Sequence, residues 1–406
     1  MNEARRAPLS HQSGQVTTSG PPDSTEVLAR ALRASASSAD TLTHGFHSYP
    51  ARMHPGIVRA LLDYWTSLQD ASGSTIANPK ISKILDPFCG SGTVLVESRV
   101  RGLPSTGVDL NPLALRVAEA KTRRVSKQGR DTFLLALARL VDASRERVQT
   151  RKPVVAKLPK SELQWYDPHV LKELAGLLEE IQQVESDSQR RLFEVLFSAI
   201  VIKFSKQTAD TSQKMREKRI RKGLVTEFFE RKGEELVRRW KELDDSCGAA
   251  SPRPEILEGD ARKLSPLLGG RTVELVLTSP PYGGTYDYID HHSRRYPWLG
   301  LKTSRMLRLE IGSRRKLGNN RDGEQRWDAE LGSSLRSIRG VVTDSADLFF
   351  LLGDAQVGGH RVDADVQLHR LAPKCGFRIE AEASQARPDW GGKKKRREHL
   401  FWMKPI

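Results

Sequence analysis

Two glycines and two aspartates near the start of the sequence have the types and spacing of a nucleoside-binding turn. The segment Asp86–Thr93, DPFCGSGT, follows one apolar run and precedes another. Gly90 and Gly92 allow a tight turn and a close approach of the backbone to a ligand. Asp109 ends the next predicted strand, STGVD, where a carboxylate can accept hydrogen bonds from both ribose hydroxyls. This pattern predicts a nucleoside cofactor site; a turn that serves packing alone is the alternative.

A second strand end carries an unusual loop, Thr-Ser-Pro-Pro-Tyr, at residues 278–282. The preceding run, VELVL, has the composition of a buried strand. Two consecutive prolines must end that strand, because neither can donate a ladder hydrogen bond. The chain contains no P-loop sequence, and its glycine spacing differs from G-x-G-x-x-G. ATP hydrolysis is therefore not supported.

The elements that must position these loops alternate between strand and helix. A strand, glycine turn, helix, strand and helix follow one another from about residue 81 to residue 120, which indicates a parallel sheet. Residues 121–250 interrupt this pattern with helical sequence that contains 28 Lys and Arg against 20 Asp and Glu. Five further strands follow, which gives a prediction of seven strands in one doubly wound α/β sheet.

We expect four regions along the chain. Residues 1–42 are rich in Ser, Thr, Gly and Pro and are predicted to be a disordered tail. Residues 43–120 and 251–406 form the two parts of the sheet domain, and residues 121–250 form a helical basic insertion. This insertion either packs passively on the sheet or contacts the substrate. A basic loop at residues 291–326 follows the Ser-Pro-Pro-Tyr loop.

Composition favours a polyanionic partner. The 406 residues include 66 Lys and Arg against 50 Asp and Glu, a formal charge of +16. Three widely spaced cysteines provide no disulfide framework, and no apolar stretch approaches the length of a membrane helix. These features predict a cytoplasmic or nucleoid-associated protein without a membrane partner.

DPFCGSGT together with TSPPY resembles the amino-group DNA methyltransferases that use S-adenosylmethionine. The segments FHSYPARMHP, Phe46–Pro55, and EGDARKL, Glu258–Leu264, resemble further motifs of this family and occur in its order. The resemblance implies a seven-stranded Rossmann-like class I methyltransferase sheet with an antiparallel last strand. Ser before Pro-Pro-Tyr is most typical of the N4-cytosine enzymes. The insertion after Asp109 departs from the family, which commonly has a short link there.

The resemblance also implies the residues of the site. The cofactor would be bound by Tyr49, Pro50, Asp86, Phe88, Gly90, Gly92, Thr93, Asp109, Asn111, Asp260 and Ala261. The catalytic loop would be Ser279, Pro280, Pro281 and Tyr282. The Ser279 hydroxyl and the Pro280 carbonyl would accept hydrogen bonds from the target amino group, and Tyr282 would stack on the flipped base. Methyl transfer would be a direct displacement.

Other residues that could do chemistry receive weaker predictions. None of the three cysteines follows a proline, as the nucleophile of the C5-cytosine mechanism typically does. The histidines of DYIDHH are predicted to belong to a base- or phosphate-facing loop, and no metal is predicted. Nucleic-acid contacts are predicted from five cations of the basic loop, Arg294, Arg295, Arg314, Arg315 and Lys316.

The sequence therefore predicts a site-specific methyltransferase acting on cytosine N4 in double-stranded DNA. A restriction or defence partner follows from the resemblance alone. Three alternatives stay open: an N6-adenine DNA methyltransferase, an RNA base-amino methyltransferase, and a non-catalytic DNA-binding scaffold.

Overall fold

One large sheet organises the chain. The computed structural model describes residues 14–36, 39–49, 52–71, 84–208, 214–388 and 395–406. The strands are β1 Val16–Ser19, β2 Ile84–Asp86, β3 Ser105–Asp109, β4 Glu255–Glu258, β5 Val273–Thr278, β6 Val342–Gly353, β7 Ala355–Val357, β8 His360–Val362, β9 Phe377–Pro388 and β10 Lys395–Pro405. The helices are α1 Pro22–Arg33, α2 Pro55–Ala71, α3 Thr93–Val100, α4 Pro112–Thr122, α5 Lys127–Thr150, α6 Lys160–Leu163, α7 Pro168–Gln182, α8 Asp187–Phe204, α9 Leu224–Ser246, α10 Leu264–Leu268, α11 Tyr288–His291, α12 Ser304–Leu309, α13 Arg314–Leu317, α14 Gly323–Arg339 and α15 Ala364–Leu371.

The strand order is β4-β3-β2-β5-β6-β10-β9-β1, and β7 and β8 form a separate hairpin. The five strands from β4 to β6 pair in parallel, whereas β10 runs antiparallel to both of its neighbours. The predicted fold class, a Rossmann-like α/β sheet with an antiparallel last strand, is thereby confirmed, although the described residues form eight strands in this sheet and not the predicted seven. The strand order changes direction between β2 and β5, which is where ligands bind in open α/β sheets.

The eighth strand, β1, lies in a region predicted to be a disordered tail. Val16–Ser19 pairs antiparallel with β9, and α1 follows directly. This helix buries Leu28 and Leu32 completely against the sheet and α2. The prediction therefore fails for residues 14–36, because pairing with a strand more than 360 residues away supplies stability that local polar composition does not reveal. It also fails for residues 39–42, where Leu42 is buried and its N–H donates to the Glu242 carboxylate. Residues 1–13 lie outside the described part.

The sheet buries side chains on both faces, as a parallel sheet between helices must. Along β5, Leu275 and Leu277 pack on one side with α1 and α2. Val276 packs on the opposite side with α14 and α15. Successive residues of a strand point to opposite faces, so this alternation fixes the register of the strand.

Residues 127–246 contribute five helices, α5–α9, with a hydrophobic core of their own. This core is continuous with Phe46 from the segment before α2 and with Trp298 and Met306 from the segment after β5. The helical insertion therefore supports both loops that flank the functional site.

Candidate active site

A cleft lies where β2, β3 and β5 end. It brings together residues that are far apart in sequence and that come from both predicted motifs. Ten of the predicted cofactor and catalytic residues line it, namely Tyr49, Asp86, Phe88, Gly90, Thr93, Asp109, Asn111, Ala261, Ser279 and Pro281. Parallel strands place their carboxyl ends at one edge of the sheet, which explains this convergence.

The glycine turn uses its two glycines for different purposes. Gly90 has a φ of +48°, and a Cβ there would lie 3.1 Å from the Tyr49 ring across the cleft. Gly92 has a φ of +82° and is not part of the cleft lining. A Cβ on Gly92 would lie 3.0 Å from the Cβ of Ala118, so this glycine allows α3 and α4 to pack closely. Gly92 therefore has a packing role, and its contact with the cofactor stays a prediction.

Asp109 closes the turn from the neighbouring strand. Its Oδ2 accepts a hydrogen bond from the Gly90 backbone N–H at 2.8 Å, and its Oδ1 accepts one from the Asn111 N–H at 2.8 Å. Burial raises the pKa of Asp109 to about 6, against the opposing effect of these two N–H groups. The carboxylate stands at the position predicted to accept ribose hydroxyls.

Asp86 links the two motifs directly. Its Oδ1 accepts hydrogen bonds from the Thr278 hydroxyl at 2.7 Å and from the Phe88 N–H at 3.1 Å. Burial raises the pKa of Asp86 to about 7, and the nearby Asp109 adds to this effect. The hydrogen bond from Thr278 fixes the end of β5 to the end of β2, so the Ser-Pro-Pro-Tyr loop and the glycine turn share one frame.

Tyr49 covers the cleft from the segment that precedes α2. Its hydroxyl lies 3.4 Å from the Asn111 Nδ2, and its ring centroid lies 4.8 Å from that of His292. Pro50, the next predicted cofactor residue, lies outside the described residues. Arg52 and Met53 also line the cleft, although the sequence analysis did not single them out.

Asp260 does not line the cleft, in contrast to its neighbours Gly259 and Ala261. Its carboxylate is held by the Arg262 guanidinium, with Nε to Oδ1 at 2.9 Å and Nη2 to Oδ2 at 2.7 Å. Asp260 therefore orders the turn after β4. The predicted direct contact of its side chain with the cofactor has no support in this arrangement.

The Ser-Pro-Pro-Tyr loop presents Ser279 and Pro281 to the cleft. Ser279 is half-buried, and among the described residues no group hydrogen-bonds to its hydroxyl. Pro280 is buried. Tyr282 does not line the cleft: its hydroxyl donates to the Glu398 Oε1 at 2.7 Å, and its ring packs on Gly353 of β6. Its stacking on a base stays a prediction.

Four residues that the sequence analysis missed form a further wall of the cleft. They come from the segment after β5 and are Tyr288, Met306, Glu310 and Ile311. Only the position of Tyr288 shortly after the loop could have suggested it. The others lie further along the chain, in the basic loop at residues 291–326 that was predicted to contact nucleic acid.

Arg294 and Arg295 were predicted to contact nucleic acid, but the structure buries both. Arg294 forms an ion pair with Glu162 at 2.6 Å and stacks on Trp165 at 3.8 Å. Arg295 donates to the backbone carbonyls of Ser198 and His291. Partners from the helical insertion hold these two cations, and such long-range pairing is not visible in the local sequence.

The remaining three predicted contacts lie nearer the surface but are tied to the protein. Arg314 and Arg315 pair with Asp287, and Arg315 also pairs with Glu310 at 2.9 Å. The Lys316 Nζ donates to the carbonyl of Glu310 at 2.9 Å. These cations therefore brace the wall that carries Glu310.

The helical insertion contains a different basic surface, a strap at residues 214–222 between α8 and α9. Its nine residues include six cations and one glutamate. Two hydrogen bonds to backbone atoms of the strap hold it in place. The Arg216 N–H donates to the Lys206 carbonyl at 2.8 Å, and the Ile220 carbonyl accepts from the His169 Nε2 at 2.7 Å. Arg219 and Lys222 are exposed. Burial lowers the pKa of Lys218, and the positive charges of Arg216 and Lys203 lower it further.

Within the described ranges, no three His, Cys, Asp or Glu residues are grouped as metal ligands would be. No helix in the same ranges combines the length and apolar character needed to span a membrane.

The chain is similar to three curated methyltransferases. It is 28% identical over 275 residues to type II methyltransferase M.MvaI of Kocuria varians, which is 64% of this chain and 58% of that protein. It is 20% identical over 398 residues to type II methyltransferase M.MjaII of Methanocaldococcus jannaschii, which is 77% of this chain and 72% of the relative. It is 22% identical over 249 residues to type II methyltransferase M.BsoBI of Geobacillus stearothermophilus, which is 56% of this chain and 48% of the relative.

The match to the first of these relatives spans less than two thirds of its length. The three matches confirm the resemblance to the amino-group DNA methyltransferases that the motifs predicted, and they support a methyl-transferring enzyme. No family model matches the chain.

Two solved structures are also similar. TrmN from Thermus thermophilus is 14% identical, with a TM-score of 0.33 and coverage of 87% of this chain and 49% of that one. The rRNA methyltransferase aviRa from Streptomyces viridochromogenes is 12% identical, with a TM-score of 0.34 and coverage of 88% of each chain. Scores of this size carry no argument about function.

Proposed function

We propose that this chain transfers the methyl group of S-adenosylmethionine to the exocyclic N4 of a cytosine flipped out of double-stranded DNA. The observation that carries the proposal is the hydrogen bond from Thr278 to Asp86, which joins the Ser-Pro-Pro-Tyr loop to the glycine turn at one cleft. A cofactor in the turn and an amino group at Ser279 would then meet in the same space.

The charge of the cleft fits a cationic cofactor. Three carboxylates, Asp86, Asp109 and Glu310, line it together with one guanidinium, that of Arg52. The whole chain carries +16, so this local excess of acid stands against the general charge. S-adenosylmethionine, when bound, supplies an electrophilic methyl group on a positively charged sulfur.

The chain's own residues then position the target. The half-buried Ser279 hydroxyl is available to accept a hydrogen bond from the amino group, because no described residue occupies it. The Pro280 carbonyl would be a second acceptor held by a rigid ring. These acceptors draw the nitrogen lone pair out of the aromatic system and toward the methyl carbon, and fixed positioning lowers the barrier further.

The stacking role that the resemblance gave to Tyr282 passes in this proposal to Tyr288. Tyr288 lines the cleft beside Ser279 and Pro281, whereas the Tyr282 hydroxyl is held by Glu398. Burial raises the pKa of Tyr288 well above its ordinary value, so its ring presents a neutral aromatic surface to a base.

Double-stranded DNA is the proposed partner, and the strap at residues 214–222 is the surface that supports it. Arg219 and Lys222 are exposed, and the strap is held by its backbone, so its cations could meet phosphates without ordering of the main chain. A role beside a cognate restriction enzyme is part of the proposal, since the relatives are type II methyltransferases.

The test is transfer of radiolabelled methyl from S-adenosylmethionine to amplified, unmodified DNA and to transcribed RNA in parallel. We expect label in DNA alone, with a loss of roughly ten- to hundredfold in Ser279→Ala, the size of a positioned hydrogen bond at a reacting group. Ser293→Ala is the matched control, because within the described part of the chain the Ser293 hydroxyl bonds only to the Asp290 carbonyl. Label in RNA alone, or in neither polymer, would refute the proposal.

A further inference from the structure

The chemistry proposed for the cleft requires a group that accepts one proton from the target amino nitrogen. A methylated exocyclic amino nitrogen must lose a proton to become neutral again. The acceptors in the Ser-Pro-Pro-Tyr loop are a hydroxyl and an amide carbonyl, and neither is basic enough to take that proton at neutral pH. A carboxylate is the group that could do so.

Glu310 is a carboxylate in the required place. It lines the cleft together with Ser279, Pro281 and Tyr288. Its segment is held against the loop, since the Gly284 N–H donates to the Gly312 carbonyl at 2.9 Å. A Cβ on Gly312 would lie 3.2 Å from the Cβ of Pro281, so the two backbones are in close contact. Glu310 is thus two residues along the chain from Gly312, which contacts the loop that would hold the amino group.

The surroundings of Glu310 suit a proton acceptor. Its side chain is only 4% exposed, and its two oxygens meet the Arg315 Nη2 at 2.9 Å and the Ile289 N–H at 3.3 Å. Burial raises the pKa of Glu310; Arg315 and the Ile289 N–H oppose this shift, and Asp287 adds to it.

Among the described residues, the other ionisable groups near Glu310 include two tyrosines, one lysine and Arg262, whose Nη2 donates to the carbonyl of Leu309. Tyr288 and Tyr296 are close enough for Glu310 to raise their pKa values, and burial keeps both neutral. The Lys316 Nζ donates to the Glu310 backbone carbonyl. Arg315 is therefore the cation that keeps the Glu310 carboxylate ionised, while burial increases its basicity.

We propose that Glu310 is a catalytic base that accepts the proton released by the target amino nitrogen. The inference rests on the proposed function. As the nitrogen lone pair forms the N–C bond to the methyl carbon, the C–S bond breaks and its electron pair stays on sulfur. The nitrogen's N–H bond then breaks, its electrons return to nitrogen, and the proton passes to a Glu310 carboxylate oxygen.

The first test compares Glu310→Gln with Glu330→Gln in single-turnover methylation of amplified DNA at saturating S-adenosylmethionine. Glu330 of α14 is the matched control. Its carboxylate accepts a hydrogen bond from the N–H of Gly312, in the segment that carries Glu310, at 2.8 Å, and it does not line the cleft. We expect Glu310→Gln to be slower by about a hundredfold or more, as for loss of a general base, and Glu330→Gln to stay within about threefold of wild type.

Two measurements separate catalysis from folding. The dissociation constants of S-adenosylhomocysteine and of DNA, measured by calorimetry and fluorescence anisotropy, should stay within about threefold in Glu310→Gln. The wild-type rate should rise with pH as Glu310 ionises, and this dependence should vanish in Glu310→Gln but persist in Glu310→Asp.

A second variant changes the pKa of Glu310 without replacing Glu310 itself. Arg315→Gln removes the cation that lowers the pKa of Glu310, so the midpoint of the pH–rate profile should move to higher pH. A merely structural Glu310 predicts no such shift.

The inference is overturned if Glu310→Gln retains the wild-type rate and pH dependence, or if Arg315→Gln leaves the midpoint unchanged. Those outcomes would leave the proposed function intact, since the wild type would still methylate DNA. A wild-type protein that transfers no methyl group to DNA would overturn both proposals together.

Discussion

At the scale of single residues, the site depends on carboxylates that the fold holds out of water. Asp86 and Asp109 are fixed by hydrogen bonds from a hydroxyl and from backbone N–H groups, yet burial still dominates their ionisation. A cationic ligand would reverse that balance, because it favours the charged form of each carboxyl group. The cleft is therefore arranged so that binding of a cation and loss of protons are linked.

This linkage predicts the pH dependence of cofactor affinity. With pKa values of about 7 for Asp86 and about 6 for Asp109 in the free protein, both groups bind protons in mildly acidic solution. S-adenosylmethionine should therefore bind more tightly as pH rises from 5.5 to 8, with protons released on binding. Calorimetry in buffers of different ionisation enthalpy measures both quantities, and Asp109→Asn should release fewer protons. Affinity that is independent of pH would contradict this assignment.

The packing role of Gly92 gives a prediction about stability. Alanine there must adopt a φ near +82° and place its Cβ 3.0 Å from the Cβ of Ala118. We expect the free energy of unfolding to fall by about 1–2 kcal/mol from backbone strain, with a further loss from the contact. Gly223→Ala is the matched control, because Gly223 also has a φ of +82° but a Cβ there meets no atom within 4 Å. Equal losses in urea denaturation would rule out the packing role.

At the scale of elements, the helical insertion supports the site from outside the sheet. Its core includes Met306, which also lines the cleft, and its Glu162 and Trp165 hold Arg294. The insertion also carries the basic strap between α8 and α9. One element thus braces the wall of the cleft and presents cations to solvent.

The strap yields a prediction about DNA affinity and salt. Replacing Arg219 and Lys222 by alanine removes two exposed cations, so the slope of log K against log salt concentration should become shallower by about 1.8, or about 0.9 for each phosphate contact. Arg33→Ala with Lys374→Ala removes the same charge from α1 and from the turn at residues 373–375, and should leave the slope unchanged. Fluorescence anisotropy over a salt series measures the slope. If both double variants change it equally, the effect is general electrostatics.

At the scale of the whole molecule, the parts of the fold that follow local rules were predictable from the sequence. The strands that end at Asp86, Asp109 and Thr278 are each followed within three residues by a proline, and the structure places them side by side. Features that depend on distant partners were not predictable. Residues 16–19 gain strand structure only by pairing with β9, Arg294 and Arg295 are buried by the insertion, and Glu310 reaches the cleft through packing against the loop after β5.

The same contrast applies to the candidate site. The glycine turn and the Ser-Pro-Pro-Tyr loop each carry a recognisable chemistry in a few consecutive residues. The wall with Tyr288, Met306 and Glu310 carries no local signature, because its residues are brought together only by the tertiary fold. Tyr282 shows the limit of a motif, since its hydroxyl is bound by Glu398 of a strand near the other end of the chain.

The most direct test of the central claim is the identity of the methylated nucleoside. Amplified DNA is incubated with the protein and S-adenosylmethionine, digested to nucleosides and analysed by mass spectrometry, with Ser279→Ala in parallel. The account predicts N4-methylcytosine that is strongly reduced in the variant. N6-methyladenine would retain the cleft and its chemistry but contradict the choice of base, and the absence of any methylated nucleoside would contradict the claim that this cleft methylates DNA.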